Sequence, residues 1–62
     1  MTNPYWVQAY RKGQHEQWFT DSRHETVERA IESARTLAIE YSRRVRVIDQ
    51  EERVHFRLDL SK

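Results

Sequence analysis

Sixty-two residues with eleven Lys or Arg against ten Asp or Glu, net charge +1 and no cysteine, define one small domain over residues 1–62. They exclude a disulfide scaffold, a thiolate nucleophile and a thiolate-type zinc site. Met1-Thr2-Asn3-Pro4 has neither a basic nor an apolar leader region, and no run approaches the ~20 apolar residues of a membrane span, so a cytoplasmic protein with no membrane role is expected.

Charged residues reach 34% against 37% hydrophobic, which leaves little material for a core, but seven aromatics and a regular apolar pattern argue for a folded chain. After Pro4, Tyr5-Trp6-Val7-Gln8-Ala9-Tyr10-Arg11 is aromatic and β-branched enough for a first strand, and His15-Glu16-Gln17-Trp18-Phe19 reads as a second. Gly13, the chain's one glycine, supplies the positive φ of the hairpin loop between them. A three-residue loop pairs Tyr10 with Gln14, Trp6 with Trp18 and Tyr5 with Phe19, and leaves Tyr5, Val7, Ala9 and Phe19 on one face. A two-residue loop would turn Trp18 inward beside Val7. The first register is favoured because it directs Glu16 to solvent.

Ser22-Arg23-His24-Glu25 fits a capping box, so a helix is expected from about residue 23 to 42. Val27, Ala30, Ile31, Ala34, Leu37, Ala38 and Tyr41 recur at spacings of three and four, forming a stripe about 120° wide that packs on a sheet. Ile39 falls roughly 140° from the stripe's centre and should be exposed.

Two further strands alternate with period two, Arg44-Val45-Arg46-Val47-Ile48-Asp49 and Arg53-Val54-His55-Phe56-Arg57-Leu58-Asp59-Leu60, around a polar turn at Gln50-Glu51-Glu52. Alternation sends Val45, Val47, Val54, Phe56, Leu58 and Leu60 to the core and Arg44, Arg46, Arg53, His55 and Arg57 to the opposite face. The order β-β-α-β-β predicts an α+β fold of two layers, a four-stranded antiparallel sheet in order 2-1-3-4 with one helix on one face.

That arrangement leaves an open face carrying Trp6, Gln8, Tyr10, Glu16, Trp18, Arg44, Arg46, Ile48, Arg53, His55, Arg57 and Asp59. Trp, Tyr and Arg are the residues that most often dominate protein interfaces. Single-strand nucleic-acid binders also combine aromatic rings with guanidinium groups on a sheet. A solvated sheet face carrying cross-strand Arg and aromatic pairs would need neither. The leading expectation is a non-enzymatic interaction protein, an inhibitor or adaptor that binds a protein partner or a second copy of itself. Its partner-binding residues would be Trp6, Tyr10, Trp18, Arg44, Arg46, His55 and Arg57. The alternative is a single-stranded RNA- or DNA-binding module using the same face.

Other chemistries find no pattern. His15, His24 and His55 stand in no metal-ligand spacing, and Ser22, Ser33, Ser42 and Ser61 lack a nucleophile elbow. Glu51-Glu52 lies in a turn, and neither phosphate-loop glycine motif is present. No catalysis, metal or cofactor is expected. Residues 26–34 followed by Arg44 to Asp49 resemble small β-β-α-β-β domains of bacteria and phages. That resemblance implies the fold, and, by analogy with phage proteins that block a host enzyme, an inhibitory role.

Overall fold

Four strands and one helix occupy residues 3–11 and 17–61, the part of the chain that the computed structural model describes. In chain order they are β1 (Tyr5–Arg11), β2 (Gln17–His24), α1 (Val27–Tyr41), β3 (Arg44–Ile48) and β4 (Val54–Asp59). The strands form one antiparallel sheet in the order β2-β1-β3-β4, and α1 packs across one face of it, as the element order predicts. Lys12, Gly13, Gln14, His15 and Glu16, and with them the expected hairpin loop, lie outside the described residues. No helix among the described residues is long and apolar enough to cross a membrane.

The core is built from small side chains. Ala30, Ala34 and Ala38 put one methyl per turn on the buried line of α1, and they meet Val7, Ala9, Val45 and Val47 from the two central strands. Tyr5, Val27, Ile31, Leu37, Phe56 and Leu58 close its margins. Ile39 is exposed as expected. Tyr41, placed in the stripe by its spacing, is instead 63% exposed at the last position of the helix.

The first hairpin departs from the expected register. Tyr10 pairs with Trp18, Ala9 with Phe19, Gln8 with Thr20, Val7 with Ser22, Trp6 with Arg23 and Tyr5 with His24. The second strand, described from Gln17, runs through His24, five residues past its predicted end at Phe19. A bulge leaves Asp21 between the Gln8–Thr20 and Val7–Ser22 pairs and restores the partner for the N-terminal half of β1. Ser22 is consequently a strand residue and not a helix cap. The helix begins at Val27, its first apolar stripe position, and Thr26 caps it from an extended backbone, its Oγ1 accepting from the Arg29 amide at 3.3 Å.

A second bulge falls in β4. Phe56 faces Val47 and Val54 faces Ile48, leaving His55 as the extra residue. Val54 is therefore turned out of the expected core and onto the open face, while Phe56 and Leu58 keep their inward positions. Arg53 precedes β4 and ion-pairs with Glu51 at 2.7 Å in the turn. Leu60 lies beyond the strand and is exposed.

Candidate functional site

The face turned away from α1 is shaped by the two central strands. Trp6, Gln8 and Tyr10 alternate on β1, and their cross-strand neighbours on β3 bring Ile48 beside Trp6 and Arg46 beside Gln8. Arg57 lies opposite Arg46, and Asp59 opposite Arg44. On the other side, Trp18 lies opposite Tyr10 and Arg23 opposite Trp6. Of the predicted binding residues, Trp6, Tyr10, Trp18, Arg44, Arg46 and Arg57 share this face.

His55 does not join them. The β4 bulge directs its ring toward Tyr5, with centroids 5.4 Å apart edge to face, and places Nε2 2.8 Å from Asp49 Oδ2. Tyr5 packs against the helix-side core, so His55 belongs to the opposite layer. Arg23, absent from the predicted set, takes a place on the open face through the β2 bulge. The S-x-x-E pattern had assigned it to a helix.

Each aromatic ring on the face carries a guanidinium. Arg46 lies 4.2 Å from the Trp18 ring centroid, Arg44 4.6 Å from that of Tyr10, and Arg23 5.3 Å from that of Trp6, all within cation–π range. Tyr10 and Trp18 also meet edge to face at 5.2 Å. Beneath them Gln8, only 9% exposed, is satisfied on both sides of its amide: Arg46 Nε donates to Oε1 at 2.8 Å, and Nε2 donates to Thr20 Oγ1 at 3.3 Å. A buried amide with both ends bonded fixes the arginine above it.

The charges are unevenly compensated. Arg44 Nε donates to Asp59 Oδ2 at 3.0 Å. The Ser61 hydroxyl and amide, followed by Arg44, hold the Asp59 carboxyl below its ordinary value. Burial lowers the Arg46 pKa; Glu52 opposes that shift and Arg57 adds to it. Arg57 makes no ion pair or hydrogen bond among the described residues. A groove of about 430 Å³ opens here, lined by Trp18, Arg44, Val45, Arg46, Arg57, Leu58 and Asp59.

The other layer offers less. Ser22 Oγ lies 2.8 Å from His24 Nε2 and 3.4 Å from Ser33 Oγ, tying β2 to α1. No group of three His, Asp or Glu among the described residues is placed to hold a metal. No protein-family model, curated protein sequence or solved structure matches the chain.

Proposed function

We propose that this chain is a non-enzymatic interaction protein, an adaptor or an inhibitor of a host enzyme of the kind small phage proteins supply, that docks a protein partner on the open sheet face. The observation that carries this reading is the pre-organisation of the face. Trp6, Tyr10 and Trp18 are held by stacked arginines, and Gln8 anchors Arg46 from below. Ordered side chains lose less entropy on binding, and rigid aromatic and Arg groups make the strongest anchors. The cysteine-free composition suits action in the cytoplasm.

The same surface favours a protein partner over single-stranded nucleic acid. A stacking base needs a ring face, and the guanidinium groups of Arg46, Arg44 and Arg23 already lie over the three rings. Trp18→Ala should abolish capture of the partner that the wild-type chain recovers from its native cell extract, with an unchanged circular dichroism spectrum. Tyr41→Ala, on the exposed end of the helix, should not. Equal capture by wild type and Trp18→Ala would refute the reading.

A further inference from the structure

We propose that the groove between Trp18 and the Arg46–Arg57 pair binds a carboxylate side chain from an acidic segment of the partner, an inference that rests on the docking reading above. Arg46 and Arg57 are direct cross-strand neighbours, a position at which like charges repel. Two other arginines are compensated internally, Arg44 with Asp59 at 3.0 Å and Arg53 with Glu51 at 2.7 Å. Arg46 uses only Nε, and on a neutral acceptor, Gln8. Its terminal amines and the whole Arg57 guanidinium make no ion pair or hydrogen bond among the described residues, and Glu52 acts on Arg46 only through its more distant charge. One carboxylate bridging the two guanidinium groups supplies the missing charge in the fork geometry that arginine recognises best.

The groove's size and charge select an acidic peptide. Its volume of about 430 Å³ lies within the range of clefts that take small ligands, enough for an acidic side chain lying along the Trp18 edge. A polyphosphate strand needs a continuous basic track, but Asp59 is among the residues lining this groove and the chain's net charge is only +1. The repulsion between Arg46 and Arg57 is an unfavourable contact within the free protein that a bound anion converts into attraction.

The test uses the full chain labelled with nitrogen-15 and titrated with three probes: a Glu-Leu-Glu-Leu-Glu peptide, its Gln-for-Glu counterpart, and an oligothymidine of equal charge. The Glu peptide should shift the side-chain N–H signals of Arg46, Arg57 and Trp18. Replacing Glu by Gln in the peptide, or Arg57→Gln in the protein, should each weaken binding by roughly tenfold or more, with Arg35→Gln on the helix side as the unaffected control. Arg57→Gln removes the like-charge pair and should melt no lower than wild type, so weakened binding would not reflect unfolding. Absence of shifts at millimolar Glu peptide, an Arg57→Gln affinity within about twofold of wild type, or equal binding of oligothymidine would overturn the proposal. Capture of the native partner separates the two levels. If Trp18→Ala abolishes capture and Arg57→Gln does not, the docking face stands and the carboxylate site falls; if neither affects capture, both fall.

Discussion

Asp49 organises the turn between β3 and β4 with every acceptor it has. Oδ1 accepts from the Glu51 and Arg53 amides at 2.8 and 3.0 Å, Oδ2 faces His55 Nε2 at 2.8 Å, and the main-chain oxygen accepts from the Glu52 amide at 3.0 Å. Glu52 can then take the left-handed conformation, φ 65°, that brings the chain back. The hydrogen bond from His55, then those from the turn amides, hold the Asp49 carboxyl below its ordinary 3.8. A carboxyl with a depressed folded pKa contributes stability that is fully present above the unfolded value and is lost as pH falls through the folded one. Asp49→Asn should therefore be less stable than wild type at pH 7 in urea titrations. The gap should close as pH falls below the unfolded-state value of 3.8; a gap that persists in acid would show that side-chain shape, not charge, holds the turn. Alternation alone could not reveal this role, because it depends on the geometry of a turn that carries no strand periodicity.

At the scale of the element, the helix ends supply two tests. Thr26 satisfies the Arg29 amide, so Thr26→Ala should cost about 1 kcal/mol, whereas Ser22→Ala should leave the helix start intact and act only on the contacts to His24 and Ser33. Ser42 ends the helix at φ 51°, ψ 51° while the Arg43 amide returns to the Ala38 carbonyl at 3.2 Å. Glycine tolerates that conformation without a Cβ clash, so Ser42→Gly should raise stability by up to about 1 kcal/mol in thermal melts. These ends also show which parts of the fold the sequence makes legible. The alanine stripe announced the helix body, and the element order announced the sheet, because both rest on periodicities that tertiary contacts reinforce. The start of the helix did not follow, since Ser22-x-x-Glu25 has the composition of a cap while the sheet uses Ser22 opposite Val7. Parity explains the face assignments. Between Gln8 and Arg11 the first hairpin is displaced by four residues from the expected pairing, an even number, so Trp18 points outward despite the wrong partner. The β4 bulge displaces one residue, an odd number, and so Val54 and His55 exchange layers.

For the molecule as a whole, the largest side chains that the helix side buries completely among the described residues are three valines, Val7, Val45 and Val47. A domain of this size has about 3–9 kcal/mol of stability, so a second apolar nucleus matters. Ile48 supplies it from the opposite face: it is only 3% exposed, stands apart from the helix-side cluster, and has Trp6 and Val54 as its cross-strand neighbours. Trp6 is thus both a surface residue and the cover of a small core, whereas Trp18 rests against Tyr10 and Arg46 at the rim. The two tryptophans should separate in a denaturation experiment. Ile48→Ala should cost about 2–5 kcal/mol, as for other buried isoleucines, although it lies on the face without a helix. Trp6→Ala should lower stability as well, and the double variant should lose less than the sum by at least about 0.5 kcal/mol, since each change removes the same contact. Trp18→Ala should add to Ile48→Ala without coupling. Simple additivity of Trp6→Ala with Ile48→Ala would mean that Trp6 does not cover Ile48, and both tryptophans would then serve the open face alone.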